Sequence, residues 1–454
     1  MFGKTEHIHF VGIGGIGMSG LAIIMHNLKF KVTGSDIQSS EITRRLKKRG
    51  IKISYRHKKE NVSDADVVVY STAIKQDNPE LAEAHRINVP VIHRGELLAE
   101  LTRMKIAVCI SGTHGKTTTT SIVGEVLQKG GLSPTTIVGG IIKGGSQAQI
   151  GRGDYLVCEA DESDKSFLRL FPSYAVITNI EAEHLDHYKD LDEIKENFTY
   201  FASHVPFWGC TFLGADSAGN LQIRNNIFRR TITYGLSEIA ELKAVNIKRN
   251  NLRCSFNVKY LNKQIGRFEI NLLGKHNINN TLAAIGIGLE LGVPLVKIRK
   301  ALLNFKGVHR RVEYLGKVRG VKIFDDYGHH PTEIAVTLQT IREYYPDNRI
   351  ISVFQPHRYS RTYHLFNDFA FSFFSADIVI VTEIYSAHEI PIAGVSGALL
   401  AKRISKEQEA VHFIHDFDKI INFLTKTVRR NDIIVVQGAG DIKQLPKRLL
   451  KELR

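Results

Sequence analysis

The stretch KIAVCISGTHGKTTTT, residues 105–120, limits the fold more than any other part of the chain. A strand-like apolar run ends in a glycine turn, and Gly115-Lys116-Thr117 then opens a segment with helical character that runs to about Lys129. A strand that hands over to a helix through glycine aims backbone N–H groups, and the positive end of the helix dipole, at an anion. The lysine adds charge beside the outer phosphates, and the threonine hydroxyl suits a magnesium ion. Strand, Gly-Lys-Thr and helix together predict phosphate binding on a parallel α/β sheet. The spacing is unusual, because Gly112 stands three residues before Gly115 where the common phosphate loop has five.

A second glycine loop lies about a hundred residues upstream. GIGGIG, Gly12 to Gly17, follows the strand-like IHFVGI and fits G-x-G-x-x-G, with Asp36 at the acidic position some twenty residues on. The pattern usually announces a dinucleotide, but its physical content is a diphosphate on backbone N–H groups at a helix start. An oxidoreductase would use this loop and leave the second one idle.

Alternating strand and helix patterns divide the 454 residues into three blocks, 1–104, 105–307 and 308–454. The first alternates runs such as KVTGSD, DVVVYST and VPVIH with amphipathic stretches such as GELLAELTR. The second contains the phosphate loop, YLVCEA and YAVITNI. It passes through short β-like runs over 207–273 and returns to helical periodicity in NINNTLAAIGIGLELG. The third repeats the rhythm in VKIFDDYG, RIISVFQ, ADIVIVTEI and DIIVVQG. The fold class is therefore α/β with three domains: Rossmann-like, central phosphate-loop ATPase, and Rossmann-like again.

Hydrophobic residues make up 43% and charged residues 24%, ordinary for a soluble globular chain, and no apolar run approaches the ~18 residues a membrane span needs. The start, MFGKTEHIHF, goes straight into a strand pattern with no signal-peptide core. Cys109, Cys158, Cys210 and Cys254 form no C-x-x-C pair and sit in or beside strand-like runs, as expected of buried thiols in a reducing cytoplasm. The net charge of +15 is scattered along the chain without a basic tail or aromatic-interleaved patch. That distribution suits an enzyme of phosphorylated substrates better than a nucleic-acid binder.

Hard oxygen ligands should follow neighbouring strands if the loop holds ATP and a metal. YLVCEADESD supplies Glu159, Asp161, Glu162 and Asp164, and VITNIEAEHLDHY supplies Glu181, Glu183, His184 and Asp186. Two acidic clusters after two consecutive strands point into the same crevice of an open α/β sheet.

In order along the chain, HFVGIGGIGMSGLA, GTHGKTTT, EADESD, TNIEAEHLDHY, GKHNINNTLAA, GVHRRVEYLG, DDYGHHPTEI and QPHRYSRT resemble the Mur ligases of bacterial cell-wall synthesis. The motifs span residue 8 to about 440, and the family's short G-T-x-G-K-T loop accounts for the odd spacing. The resemblance implies a sugar-nucleotide domain, an ATPase domain and a third domain that supports the amino acid. It further implies an ATP-dependent cytoplasmic ligase, monomeric or weakly dimeric, that uses Mg²⁺ (Mn²⁺ as a substitute) and neither nucleic acid nor membrane insertion. The implied substrates are UDP-N-acetylmuramate and L-alanine. The implied chemistry is phosphorylation of the lactyl carboxylate, then attack by the amine on the acyl phosphate. A recycling ligase that adds a murein tripeptide to the same sugar nucleotide is the alternative.

Carried across residue by residue, Gly112, Thr113, His114, Gly115, Lys116, Thr117 and Thr118 match the ATP loop, with Lys116 catalytic. Thr117, Glu159 and His184 match the metal positions, with the histidine, a poor direct Mg²⁺ ligand, acting through water. His276 and Asn280 match positions near adenine, and Arg310 or Arg311 an arginine that reaches the nucleotide. His329, His357, Arg358 and Arg361 match the substrate side of the cleft. His329 is the candidate general base, and Arg358 and Arg361 form a fork for the alanine carboxylate. The UDP-sugar falls to Gly12, Gly14, Gly15, Gly17 and Asp36, with Ser71, Thr72 and Ala73 on the same crevice. Glu183 stands where the family pattern has aspartate, and Lys165 where a small residue is expected. Lys116, read as an exposed loop residue, is expected to contribute little to a core, so that its removal leaves folding intact.

Overall fold

Segments such as 107–111 and Ile433–Gln437 are buried along their whole length, the pattern of parallel strands covered on both faces. The computed structural model describes residues 3–140, 148–183, 187–250, 252–387 and 389–453. Its strands form three sheets.

The first sheet comprises β1 (His7–Val11), β2 (Lys31–Ser35), β3 (Lys52–Ser54), β4 (Val67–Tyr70) and β5 (Val91–His93). All are parallel in the order β3-β2-β1-β4-β5. The direction of winding reverses between β1 and β4, so their carboxyl ends border a crevice. Gly12 follows β1 and Ser71 follows β4, which puts both predicted sugar-nucleotide loops at that switch point.

The second sheet holds β6 (Ile106–Ser111), β7 (Thr135–Ile137), β8 (Ala148–Gln149), β9 (Tyr155–Glu159), β10 (Tyr174–Ile177), β11 (Cys210–Gly214), β12 (Thr231–Gly235), β13 (Leu242–Asn250), β14 (Arg253–Tyr260) and β15 (Lys263–Ile270). Its order is β15-β14-β13-β12-β11-β10-β6-β9-β7-β8. The phosphate-loop strand β6 thus lies between β10 and β9, the two strands that carry the acidic clusters. The β-like runs over 207–273 are β11 to β15. The third sheet contains β16 (Glu313–Val318), β17 (Val321–Asp326), β18 (Ile350–Phe354), β19 (Ile378–Val381), β20 (Val411–Phe413) and β21 (Ile433–Gln437) in the order β16-β17-β21-β18-β19-β20. Only β16 runs antiparallel to its neighbour.

The chain forms two compact units, one of residues 1–248, 255–271 and 276–306, the other of 249–254, 272–275 and 307–454. The two sheets of the first unit share one large apolar core, and a smaller one of Val11, Val62, Val68, Leu81 and Ala84 lies on the first sheet alone. Phe10, Met18, Leu21 and Met25 from the first sheet and its helix join Cys109, Leu156, Phe167 and Phe198 from the second. The helix Ile16–Asn27 packs on β1 and β2 and also on β7 and β8. The second unit has a core on each face of its sheet, Phe324, Leu338, Phe354 and Phe373 on one side, Ile351, Val353, Leu424 and Val436 on the other. All four cysteines are buried and free, as the sequence suggested. Among the described residues no helix is long and apolar enough to cross a membrane.

Candidate active site

The phosphate loop is shaped by contacts that a side chain would destroy. Gly112 has φ +128°, and a Cβ there would stand 2.1 Å from the Thr178 hydroxyl. Thr178 uses that hydroxyl to donate to the His114 carbonyl at 2.6 Å, and the His114 N–H donates to Asn179 Oδ1 at 2.8 Å. The Glu181 N–H donates to Thr113 Oγ1 at 3.0 Å. The loop after β6 is therefore bolted to the loop after β10. Gly115, at φ +85°, caps the helix Lys116–Gly130, whose first turn holds the buried Thr117 and Thr118. Their backbone N–H groups are among those a helix start offers to phosphate.

Lys116 is not the exposed loop residue expected from sequence. Its side chain is 17% exposed and that of its partner Glu162 4%, with Nζ to Oε1 at 2.6 Å. The same ammonium donates to the Gly112 carbonyl at 2.6 Å and the Thr113 carbonyl at 3.3 Å. Burial works against the charge, yet Glu162 and Asp161 outweigh it and hold the Lys116 ammonium above its ordinary pKa. The reason the sequence misleads is topological: β9 runs beside β6 and delivers its acid loop against the lysine. Asp161 shows the reciprocal effect, since burial pushes its carboxyl up but Arg94 and Lys116 bring it down to about 2. Tyr188 supports Glu162 from behind, donating its hydroxyl to the Glu162 carbonyl at 2.6 Å. Lys165, in left-handed backbone at φ +58°, lies 4.7 Å over the Tyr188 ring and 2.6 Å from Glu193. It is a clamp on that tyrosine.

Glu159 ends β9 opposite Ile110 and accepts the Gly139 N–H at 2.5 Å. It flanks the strand that leads to Thr117. His184 and Asp186 lie outside the described residues. Among the described residues no three His, Cys, Asp or Glu side chains converge as a metal cage. The donor set is a hydroxyl and a carboxylate, hard oxygens suited to an ion that keeps waters and phosphate oxygens as further ligands.

Asn280 sits beneath the phosphate loop. Its Oδ1 accepts the Thr119 hydroxyl at 3.0 Å and would lie 2.7 Å from a Cβ on Gly115. Its Nδ2 donates to Asn277 Oδ1 at 3.1 Å. His276, one turn earlier in the helix Lys275–Glu290, is half-buried.

In the first loop, Gly12 and Ile13 both donate their N–H to the Ser35 carbonyl at 2.9 Å, and Gly14 donates to Asp36 Oδ2 at 2.8 Å. A Cβ on Gly14 would approach that carboxylate to 2.6 Å. Gly15 is the N-cap of the helix Ile16–Asn27, which includes Gly17. Asp36 is thus engaged in holding the turn. Thr72 and Ala73 are exposed and Ser71 half-exposed. Ile74, after them, reaches within 3.1 Å of the Cβ direction of Gly12, so both loops border one crevice.

The second unit gathers its own candidates. His329 has Nδ1 3.1 Å from the Tyr327 carbonyl, and its ring centre lies 5.7 Å from that of His357. His357 stacks on Tyr385 and has Nδ1 3.4 Å from Arg361 Nη1. Burial, then the charge of His329, Arg361 and Arg358, depresses the His357 pKa to about 3, so its ring is neutral. Arg358 has φ +71°, donates its N–H to the Tyr385 carbonyl at 2.8 Å, and has Nε 3.9 Å from Glu389. Arg310 is pinned to Asp325 at 3.2 Å and to the Gly438 carbonyl, while Arg311 reaches Glu333 at 3.5 Å. Both arginines flank the Tyr327 ring.

Sequence reasoning missed Thr178, Asn179 and Arg94. The first two directly follow β10, between that strand and the acidic cluster that the sequence directs into the crevice, a position that was a usable signal. Arg94 offered none.

Comparison with known proteins agrees with this architecture. Three family models match in chain order: "Mur ligase family, catalytic domain" over residues 7–106, "Mur ligase middle domain" over 110–288, and "Mur ligase, glutamate ligase domain" over 310–440. The chain is a Mur ligase. This ligase is 50% identical over 453 residues to the UDP-N-acetylmuramate–L-alanine ligase of Desulfatibacillum aliphaticivorans, covering 99% of both chains. It is 45% identical to that of Geobacter sp. (strain M21), covering 100% of this chain and 99% of the relative. The crystal structure of UDP-N-acetylmuramate–alanine ligase from Thermotoga maritima matches with TM-score 0.83 and 30% identity over 98% of each chain. A murein peptide ligase from Psychrobacter arcticus 273-4 shares the fold, with TM-score 0.71 and 24% identity over 99% of this ligase and 98% of that chain.

Proposed function

We propose that this ligase uses ATP to join L-alanine to the lactyl carboxylate of UDP-N-acetylmuramate, a cytoplasmic step of peptidoglycan precursor synthesis. The observation that carries the reading is the end-to-end likeness to L-alanine ligases. The two glycine loops, on one compact unit, give each nucleotide a seat.

A carboxylate oxygen of the sugar attacks the γ-phosphorus of ATP, the bond to ADP breaks, and an acyl phosphate forms. The alanine amine then adds to the acyl carbon and gives up a proton, and phosphate leaves with the C–O bond. Phosphoryl transfer asks the protein for position and charge more than for covalent help. Lys116 supplies charge, and backbone N–H groups of the loop, fixed by Thr178 and Asn179, supply position. Magnesium neutralises phosphate oxygens when bound. Thr117 and Glu159 are the described residues that would hold it, with manganese as a substitute. On the amine side His329 is the proton acceptor, because an Nδ1–H directed at the Tyr327 carbonyl leaves Nε2 as the basic nitrogen. Arg358 and Arg361 grip the alanine carboxylate, and the neutral His357 adds a hydrogen-bonding nitrogen without charge.

The test is phosphate release by the purified chain with ATP and magnesium. Release is expected only with both UDP-N-acetylmuramate and L-alanine, together with a product heavier by one alanine residue. Activity with a murein tripeptide and none with L-alanine would refute the proposal in favour of the recycling reaction.

A further inference from the structure

Arg358 stands at φ +71° and ψ 139°, a backbone conformation that suits glycine and strains any side chain. Strain of this kind persists only where the surroundings over-determine it. Here they act from two sides. Upstream, the Arg358 N–H donates to the Tyr385 carbonyl at 2.8 Å, and the Tyr385 N–H donates to the Pro356 carbonyl at 2.9 Å. The His357 ring stacks on Tyr385 with centres 5.6 Å apart. A Cβ on Gly440 would stand 2.6 Å from Tyr385 Cγ, so the ring is also seated against the Gly440 backbone. Downstream, the Arg358 carbonyl accepts the Thr362 hydroxyl at 2.8 Å.

Glu389, from the loop beyond β19, completes the hold, and no step above uses it. It accepts the Ser360 N–H through Oε2 at 3.0 Å and the Ser360 hydroxyl through Oε1 at 2.7 Å. Its Oε1 lies 3.9 Å from Arg358 Nε, close enough to pair charges and too far for a hydrogen bond. Among the described residues the Arg358 guanidinium therefore donates no hydrogen bond within the protein. Other arginines of this unit have committed donors: Arg349 holds Asp432 at 2.6 and 3.1 Å, and Arg310 holds Asp325 and the Gly438 carbonyl. A cap on a short helix would explain the Ser360 bonds. It does not explain a strained arginine beside them, 49% exposed, with its donors unspent. At that exposure the direct attraction between the two charges contributes little, so Glu389 acts chiefly through the turn it fastens.

We propose that Glu389 is a positioning residue for the amine substrate: through Ser360 it fixes the turn that presents the uncommitted Arg358 guanidinium to the carboxylate of the incoming amino acid. The inference rests on the reading that Arg358 grips that carboxylate. Two parallel N–H bonds to one carboxylate require a fork held in place, and a fork free to swing forfeits one of them.

Steady-state kinetics on the full chain, with L-alanine, ATP and UDP-N-acetylmuramate varied in turn, tests this. Glu389→Ala should raise KM for L-alanine about tenfold, the loss of one charge-assisted contact. Its kcat should stay within about threefold and both nucleotide KM values within about twofold, the pattern of a lost binding contact. Glu389→Gln should bring KM for L-alanine back to within about threefold of wild type, since its amide oxygen can accept the Ser360 N–H and its NH₂ can donate to the hydroxyl. Ser360→Ala removes one of the two bonds and should fall between, which covers the case of an alanine variant at 389 that fails to fold. Wild-type KM for L-alanine in a folded Glu389→Ala protein overturns the inference. A parallel rise in all three KM values does the same, as does a Glu389→Gln protein no better than Glu389→Ala. Should Glu389→Ala not fold, wild-type KM for L-alanine in Ser360→Ala overturns it. An Arg358→Lys protein with all three KM values raised alike overturns the carboxylate grip, and the inference with it. Arg358→Lys raising KM for L-alanine alone, beside a Glu389→Ala protein that raises none, overturns the inference and leaves the grip standing.

Discussion

Lys116→Ala separates what the lysine does for the fold from what it does for the reaction. Breaking a buried ion pair by removing one partner costs about 3–5 kcal/mol. With side-chain exposures of 17% and 4%, the Lys116–Glu162 pair falls under that rule. The lower end applies, about 3 kcal/mol, because the Lys116 side chain keeps some contact with solvent. At about 2 °C per kcal/mol for a large unit, the first unit should melt roughly 6 °C lower. The raised pKa of Lys116 means that the pair stabilises fully below the ordinary lysine pKa and fades only as pH rises through the higher folded value. The deficit should therefore be the same at pH 6 and pH 8. Turnover should fall about 10³-fold or more, the equivalent of ~4 kcal/mol of lost transition-state stabilisation. The double variant Lys116→Met with Glu162→Gln removes both charges and should recover most of the melting temperature but none of the rate. Scanning calorimetry without ligands and a phosphate-release assay read the two effects. Lys116→Ala melting with the wild type, or a double variant no more stable than the single one, would refute the buried-pair argument. Turnover within tenfold of wild type would refute the phosphate role.

Gly14→Val places a side chain against the Asp36 carboxylate and should weaken sugar-nucleotide binding by calorimetry at least tenfold while leaving ATP affinity unchanged; equal loss of both would contradict separate seats. Arg358→Lys should raise KM for L-alanine much more than KM for ATP in steady-state kinetics, since an ammonium cannot reproduce a two-pronged grip; matched increases would move Arg358 out of the alanine site. Glu80 is fully buried, and although burial opposes its charge, the His9 ring 3.8 Å away and hydrogen bonds from Ser35 and Asn61 hold its carboxyl at about 2. A folded pKa below the unfolded one stabilises above the ordinary glutamate value and is lost as pH falls toward 2, here about 3 kcal/mol. The melting temperature of Glu80→Gln should accordingly lie below that of wild type at pH 7 and converge with it as pH falls through about 2, and a gap that stays constant down to that pH would be the contrary result.

What the sequence made legible was local. Gly-Lys-Thr between a strand and a helix carries its meaning within a dozen residues, as does GIGGIG, and alternating strand and helix patterns suffice for three α/β sheets. The acidic runs were visible because each follows a strand. Their partners were not, because hydrogen bonds across a parallel sheet join residues far apart in the chain. Arg94 meets carboxylates 67 and 70 residues away. Asn280 meets Thr119 across 161. Arg94 in HRGELLAEL reads as an ordinary helix start. Asn280 in GKHNINN gives no hint that it props up the loop on which the phosphates would rest. The burial of Lys116 failed for the same reason: exposure is a property of what packs above a loop, and Glu162 arrives from another strand.

The large apolar core that the first two sheets share makes them one heritable block. Phe10 and Met25 rest in the same apolar interior as Leu156 and Phe198, so neither sheet can be excised, grafted from a relative or expressed alone without exposing part of that interior to water. A chimera that exchanges residues 1–104 must inherit a matching face on the second sheet or lose both nucleotides together. The unit of the third sheet has its own interior on both faces, and it can be exchanged as a module. On the proposed reading, specificity for the incoming amine is free to drift with that module, while recognition of the sugar nucleotide is tied to the unit that would consume ATP.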